Sequence, residues 1–372
     1  MLFFIQFVLN LISVLINIKS RFLALFGLLV LGILAGTMTP GYSFDTNVYS
    51  AEYSLPIESG RFEKGYMFLT SFAYNHGINY SEFRLISMIF FFFLFFLVLN
   101  LYTRQLNLFV VLFSIFPFVN EATQVRNFMM IVIILFALKF LTLKNKNILT
   151  LFIAISLIAL SATFQTTGWM FVSIILFSLA PQKFMVKSLD IFVPSILIIS
   201  LFMFLIKNNS IIQKILSFVI SHSGRSNATD ILSSNTGSST NLQFYSLFIV
   251  YILSYSILRY IYSRIVMDTD TQSIQSKVYI LLLMASLGAV GIFMLIGSYN
   301  FERIVRNAIT PTLIAISIFA DSSSLELKKI KMFVLGSSFI IVLGGSIAKS
   351  YWSSGYGTMG SYVPYILHIK NN

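Results

Sequence analysis

Nearly all charged residues of this chain lie in the gaps between long hydrophobic runs. Several runs extend for about 17 to 23 residues with almost no charge, the length that a helix needs to cross a hydrocarbon core of roughly 30 Å. Hydrophobic residues make up 57% of the chain and charged residues 10%, whereas about a quarter of an ordinary soluble domain is charged. The sequence therefore predicts an integral membrane protein.

The runs are expected to be helices, because backbone groups in lipid must be hydrogen-bonded within the protein and no alternating barrel pattern is visible. The first run lacks a basic leader and a cleavage site, so we interpret it as a retained helix rather than a signal peptide. The predicted fold class is all-α: a polytopic protein with about 10 to 12 transmembrane helices in a single transmembrane domain, residues 1–372. The run 168–181 is short enough to be broken or re-entrant. The predicted spans are 1–18, 22–38, 85–103, 106–119, 126–143, 147–163, 168–181, 189–206, 244–266, 277–297, 304–320 and 331–348.

The basic residues predict an orientation. If every second gap faces the cytoplasm, starting with the turn after the first run, that set holds 14 of the 25 lysines and arginines in short turns. The opposite set holds the other 11, spread over much longer loops. The positive-inside rule then places both termini outside. Three long segments face outward on this assignment: 39–84, which is acidic and aromatic, 207–243, which is flexible, and the C-terminal tail 349–372.

Several function classes are disfavoured by composition. The net charge of +12 is explained by cytoplasmic turns that hold the helices, so we expect no nucleic acid partner. The chain has no cysteine, which excludes disulfides and cysteine-ligated zinc. No HExxH, phosphate-binding loop or Rossmann glycine pattern occurs. We therefore expect no cofactor and no metal, although Asp45 with Asn47 could bind a divalent ion weakly.

The segment 39–84 interleaves carboxylates with tyrosines, and its candidate residues are Asp45, Tyr49, Glu63 and Tyr66. Carboxylates accept paired hydroxyl hydrogen bonds, and aromatic faces pack on the apolar side of a sugar ring. The pattern is equally typical of an interfacial aromatic belt. If the segment binds sugars, Asp45 or Glu63 is the candidate general base for an acceptor hydroxyl.

Arg126 opens a long apolar run, where its charge opposes the helix dipole and calls for an anion nearby. Glu121 is the structural candidate for that anion, and a lipid-linked pyrophosphate is the functional one. Gln124 adds a neutral hydrogen-bonding side chain in the same turn.

Arg303 and Arg306 repeat this arrangement, with Glu302 beside them. Their spacing places them on one helical face, and two planar guanidinium groups suit a phosphate. The alternative is anchoring to anionic lipid headgroups. Gln165 and Thr166 form a polar notch between two apolar runs; they can bind a hydroxyl, but a plain turn is the simpler interpretation.

Taken together, these residues resemble the EpsG family of Wzy-type polysaccharide polymerases. The family's early Asp-to-Tyr step and its acidic-Gly-aromatic step are matched here by Asp45 to Tyr49 and by Glu63-Lys64-Gly65-Tyr66. Its Gln-aliphatic-Arg step is matched by Gln124-Val125-Arg126, and its later arginines by Arg303 and Arg306. One departure is Gln165, where the family often has histidine. A proton-transfer role of that histidine would fall to a carboxylate here.

The resemblance implies an enzyme with an architecture similar to the GT-C class, in the cytoplasmic membrane of a bacterium with its active face outward. It would transfer a growing capsule, exopolysaccharide or O-antigen glycan from undecaprenyl pyrophosphate to a hydroxyl of a lipid-linked repeat unit. Expected partners are the lipid bilayer, the undecaprenyl-pyrophosphate-linked oligosaccharide and, as an open alternative, a chain-length regulator. The competing interpretations are an O-antigen ligase or other lipid-sugar-dependent glycosyltransferase, a flippase or transporter, and a structural subunit.

Overall fold

A computed structural model describes residues 1–38, 43–55, 61–143, 147–206, 214, 241–266, 272–321 and 328–348. The regular structure of these residues consists of α-helices and two short 3-10 helices, and no strand occurs among them. Helices occupy all twelve predicted runs, including the short run 168–181. The prediction of an all-α polytopic membrane protein is therefore confirmed.

Most of the described connections between consecutive helices are short. In chain order they are α1 (Leu2–Leu15), α2 (Arg21–Gly36), α3 (Phe44–Ala51), α4 (Lys64–Asn75), α5 (Tyr80–Tyr102), α6 (Leu106–Ile115), α7 (Phe118–Thr123), α8 (Val125–Leu141), α9 (Ile148–Ala162), a 3-10 helix (Thr166–Phe171), α10 (Val172–Leu179), α11 (Gln182–Leu205), α12 (Asn241–Val266), α13 (Gln272–Leu295), a second 3-10 helix (Tyr299–Phe301), α14 (Glu302–Asp321) and α15 (Lys328–Ala348).

Five segments of the described chain are long and apolar enough to cross a membrane: α5, α11, α12, α13 and the continuous stretch Tyr299–Asp321. Several other apolar helices are shorter, such as α1 and α9. The run 168–181 consists of a 3-10 turn followed by the eight residues of α10, which matches the predicted broken helix. The chain is thus embedded in a membrane through helices of unequal length.

The predicted outer segment 39–84 is more ordered than a loop. It contains α3 and α4, and α5 begins at Tyr80, five residues before the predicted span. The early start has a local cause, because Asn79 and Glu82 form a reciprocal capping box at the N-terminus of α5. Such a box satisfies two backbone donors that would otherwise lack partners. The segment 207–243, predicted as a flexible loop, and the predicted outer tail 349–372 lie almost wholly outside the described residues.

The helices group into two compact units, Met1–Phe171 with Leu313–Asn372, and Val172–Thr312. In the first unit α1 turns a polar face inward: Gln6, Asn10 and Ser13 are its buried residues. Asn107 donates to Asn10 at 2.8 Å and Gln6 donates to Ser114 at 3.1 Å. In lipid, such interhelical hydrogen bonds and close small-residue contacts hold helices together, since burial of apolar surface offers little.

The second unit is built on α13, which packs against α10, α11 and α12. The Tyr251 hydroxyl of α12 donates to the backbone oxygen of Ala285 at 3.1 Å. Arg259 of α12 forms a two-bond ion pair with Asp190 of α11, with N–O distances of 2.7 and 2.8 Å. A cluster of hydrogen bonds thus ties the long spans of this unit together.

Candidate functional site

Asp45 lies in the first turn of α3, where a negative charge is stabilised by the helix dipole. The turn is fixed by a capping box in which the Thr46 amide donates to the Ser43 hydroxyl and the Ser43 amide donates to the Thr46 hydroxyl, both at 3.1 Å. Asp45 itself is half-buried. No group of three or more His, Asp or Glu side chains comes together among the described residues.

Arg126 lies among three aromatic rings, Tyr49, Phe62 and Tyr66, which we call the aromatic box. The guanidinium carbon is 4.1 Å from the centre of the Phe62 ring, 5.5 Å from Tyr49 and 5.9 Å from Tyr66. Its Nε donates to the Tyr49 hydroxyl at 3.4 Å, and its Nη1 pairs with Glu63. The ring faces and the carboxylate together stabilise a cation that is only 7% exposed.

Glu63 joins Arg126 to the polar notch. Its Oε2 accepts from Arg126 Nη1, and its Oε1 accepts from the Thr166 amide at 2.9 Å and the Thr166 hydroxyl at 2.8 Å. Both oxygens of the carboxylate are therefore occupied by donors that favour its charged form. Glu63 is therefore better suited to holding two parts of the chain together than to accepting a proton from a substrate.

Gly65 allows the same stretch to pack directly on the end of α9. Its amide donates to the Thr163 backbone oxygen at 2.9 Å, and the Tyr66 amide donates to the same oxygen at 3.3 Å. A Cβ atom at Gly65 would lie 2.1 Å from the Thr163 hydroxyl oxygen. The acidic-Gly-aromatic step is thus a docking motif. We call the packing of residues 63–66 on residues 163–166 the Glu63 latch.

The expected partner of Arg126 was wrong: its ion pair is with Glu63 and not with Glu121. Glu121 is buried in α7, where its Oε2 accepts from Asn127 Nδ2 at 3.0 Å. Gln124 is buried at the junction of α7 and α8, where it ends one helix and precedes the other. Glu121, Gln124 and Asn127 are close to Arg126 in sequence. The carboxylate that pairs with Arg126, however, comes from Glu63, in a distant part of the chain.

Arg84 is a residue that the sequence analysis did not single out. It is 1% exposed, and its guanidinium donates to the backbone oxygens of Ala35 at 3.0 Å and Ala122 at 2.5 Å and to the Tyr80 hydroxyl at 3.0 Å. Among the described residues, no carboxylate lies within 4.0 Å of it. The signal for it was present, because an arginine that precedes an apolar run is the pattern that drew attention to Arg126.

Arg84 is compensated by helix ends instead of by an acid. Ala35 belongs to the last turn of α2 and Ala122 to the last turn of α7, where carbonyl groups lack helical partners and the dipole favours a cation. Tyr66 lies within electrostatic range of both Arg84 and Arg126, yet burial raises the pKa of Tyr66 well above its ordinary value. The Tyr66 phenol is therefore protonated at neutral pH.

Gln165 is buried next to the Glu63 latch, with 6% exposure. Its Oε1 atom has no hydrogen-bond partner in the described part of the chain. Leaving a buried polar group unpaired costs about 1–3 kcal/mol. Of the two predicted notch residues, Thr166 binds Glu63, whereas the buried Gln165 oxygen is an unused acceptor in the described part of the chain.

Arg303, Arg306 and Glu302 lie in the second unit, at the start of α14. Arg306 is 1% exposed and its Nη1 donates to Glu302 at 3.1 Å, one helical turn away. Arg303 is only partly buried. The two arginines are therefore not equivalent: Arg306 is neutralised within its own helix, and Arg303 lies nearer to the surface.

Comparison with known proteins gives one match. The sequence profile of the EpsG family covers residues 21–367, which is nearly the whole chain. Neither the curated proteins nor the solved structures contain a match. Asp45, Gly65, Arg126 and Arg306, on which the resemblance rested, all fall within the matched range. The chain is a member of the EpsG family.

Proposed function

We propose that this protein is a polysaccharide polymerase of the outer face of the bacterial cytoplasmic membrane. It transfers a growing glycan from undecaprenyl pyrophosphate to a hydroxyl of a lipid-linked repeat unit. Membership of the EpsG family, which is associated with glycosyltransferase-like polymerase activity, supports the reaction class. The observation that carries the assignment is Arg126, a buried cation held by the aromatic box and by the Glu63 latch, next to which lies the unpaired amide oxygen of Gln165.

Arg126 is the proposed contact for the leaving pyrophosphate. Its Nε and Nη1 atoms are engaged by Tyr49 and Glu63, which leaves Nη2 without a hydrogen-bond partner in the described part of the chain. Because the guanidinium is held in place before substrate arrives, its remaining donors stabilise developing negative charge without reorganisation. Arg303 and Arg306, at the start of α14, are proposed to bind phosphate groups of a lipid-linked substrate, with Glu302 positioning Arg306.

Asp45 is the proposed general base. In the transfer step, the acceptor hydroxyl oxygen forms a bond to the anomeric carbon of the growing glycan. The bond from that carbon to the pyrophosphate oxygen breaks, and the hydroxyl proton passes to Asp45. Glu63 is less suited to this role because both of its oxygens already accept hydrogen bonds. No metal or cofactor is invoked in this step.

The remaining residues are proposed to orient sugars. Tyr49 and Tyr66 are buried around Arg126 and are proposed to act through that guanidinium, and Gln165 offers an amide oxygen that can accept from a sugar donor. Gln124 has the same chemistry at the start of α8. Thr166 is proposed to act through Glu63, since its amide and hydroxyl both bind that carboxylate.

The activity is tested with the purified full chain and an undecaprenyl-pyrophosphate-linked repeat unit, without any nucleotide sugar. A ladder of longer lipid-linked glycans is the expected product. Transfer of the glycan to a different acceptor, with no ladder, would identify a ligase instead. Movement of the lipid across a vesicle membrane, again without a ladder, would identify a flippase.

A further inference from the structure

An open apolar groove lies in the first unit, along α4, α5, α8 and α9. Its volume is about 1110 Å³, which exceeds the roughly 300–1,000 Å³ of pockets that hold drug-sized ligands. Only three of its 22 lining residues, Arg21, Ser87 and Asn100, have polar side chains. The walls are mostly aromatic and aliphatic, so the groove accepts a hydrocarbon and not a sugar.

The groove is long as well as wide. Its lining includes both Phe83 and Leu101, which are 18 positions apart on α5 and therefore about 27 Å apart at 1.5 Å per residue. This length nearly equals the roughly 30 Å thickness of a hydrocarbon core. An acyl chain of an ordinary phospholipid covers only one leaflet, about half of that depth. A ligand that fills the groove has a much longer chain.

One end of the groove meets the candidate site. Phe83 lines the groove, and its ring centre is 6.1 Å from that of Tyr66 in the aromatic box. Phe164 also lines it, stacks edge-on against Phe91 at 6.0 Å, and directly precedes Gln165. A chain lying in the groove would therefore bring its head to Gln165, whose amide oxygen is unpaired, and to the Glu63 latch.

We propose that this groove binds the polyisoprenoid chain of the lipid carrier, with the pyrophosphate at the Arg126 end and the chain tip near Leu101. The inference rests on the proposed function and adds the place where the donor lipid lies. Phe90 and Leu97 on α5 and Phe136 on α8 line the middle of the groove and are 53, 44 and 39% exposed. These side chains are open to an apolar ligand along the whole path.

Binding is measured with two sugar-free probes, undecaprenyl pyrophosphate and farnesyl pyrophosphate, on the full chain in nanodiscs. The wild-type protein should bind the undecaprenyl probe at least about tenfold tighter, because the longer chain makes packing contacts along the whole groove that a farnesyl chain cannot reach. Leu97→Trp fills the groove beyond the reach of a farnesyl chain. It should abolish the preference for the undecaprenyl probe while leaving farnesyl binding unchanged.

The matched control is Ile198→Trp on α11, a 69% exposed apolar residue outside the groove lining; it should keep the wild-type preference.

A photoreactive group at the tip of the undecaprenyl chain should label peptides that contain Leu101, which tests the position even if Leu97→Trp does not fold. Equal affinity for the two probes, or full competition by excess phospholipid, would overturn the inference. Because neither probe has a sugar, chain-length-dependent binding without a glycan ladder would refute the polymerase and not the groove.

Discussion

At the scale of single residues, the two carboxylates proposed as bases have different surroundings. Glu63 is held by Arg126 and Thr166, whereas Asp45 is half-buried in the first turn of α3. Asp45→Asn should lower the rate of repeat addition by about 10²–10⁴-fold, the usual contribution of a general base, and lower the unfolding temperature only slightly, since a first-turn charge contributes about 0.3–1 kcal/mol. Glu63→Gln should lower the unfolding temperature, because Arg126 loses its counter-charge, and should reduce the rate of the folded enzyme far less.

Both quantities are measured on purified protein, with Glu52→Gln as the control for an acid in the same segment. The opposite pattern, with a rate loss in Glu63→Gln larger than in Asp45→Asn, would make Glu63 the base.

Gly65 offers a second test at this scale. Gly65→Ala should destabilise the protein, because the new methyl group would overlap Thr163, which has backbone and side-chain atoms within 3 Å. The double variant Gly65→Ala with Thr163→Gly removes two of the three contacts and should recover part of the loss. The control is Gly336→Ala, where nothing lies within 4 Å. Unfolding in detergent measures the effect, and strictly additive effects of the two substitutions would argue against the Glu63 latch.

The site could be predicted in part from single residues. Arg126 stood out because it opens an apolar run, and Glu63 and Tyr66 because their segment interleaves carboxylates with tyrosines; the structure brings these three together. Their pairing could not be predicted, since Glu63 is 63 positions from Arg126 and 103 from Thr166. The nearer acid, Glu121, was therefore chosen wrongly. Arg84 carries the same signal as Arg126, but it is the last residue of the predicted outer segment 39–84, so the hydrophobic pattern does not predict that it is buried.

At the scale of elements, Arg84 joins the C-terminal ends of α2 and α7 to α5. Only a planar guanidinium can donate to three acceptors in this fixed arrangement, so lysine is not an equivalent replacement. Arg84→Lys should therefore lower the free energy of unfolding by about 1.5–3 kcal/mol, the value of a hydrogen bond to a charged group. The matched control is Arg104→Lys, at an exposed position between α5 and α6, which should change stability little. Equal stability of the two variants would contradict this role of Arg84.

The helices were predicted well where a long apolar run marks them and poorly where no such run is present. Every apolar run is helical, since lipid leaves the backbone no other local solution. α3 and α4 were missed because they are short and carry polar residues, so they lack the long apolar run by which a span is found. The residues of the capping box, Asn79 and Glu82, are visible in the sequence. They predict the start of α5 correctly.

At the scale of the whole molecule, the basic turns predict which ends of the helices face the cytoplasm. The chain has no cysteine, so single cysteines can be labelled without background. His76→Cys, after α4, should react with a membrane-impermeant reagent added to intact cells. Arg104→Cys and Lys183→Cys should react only after the membrane is opened. Labelling of Arg104→Cys from outside would reverse the proposed orientation.

The membrane class follows from composition, but the grouping of helices into two compact units does not. Hydrophobic runs of similar length have the same sequence pattern whether their helices pack in one compact unit or in two. The separation becomes visible only through contacts such as those of α13 with α10, α11 and α12. For the same reason, the sequence placed Arg126 and Arg306 on a common membrane face without indicating that they belong to different units.

The central claim, that this protein polymerises lipid-linked repeat units, is tested most directly by one reconstituted reaction. The wild-type protein and Arg126→Ala, at equal amounts in the same proteoliposomes, receive the undecaprenyl-pyrophosphate-linked repeat unit. The account predicts a ladder for the wild type, with one undecaprenyl pyrophosphate released for each repeat added, and no ladder for Arg126→Ala. A wild-type ladder length in Arg126→Ala, or the absence of a ladder from the wild type, would contradict it.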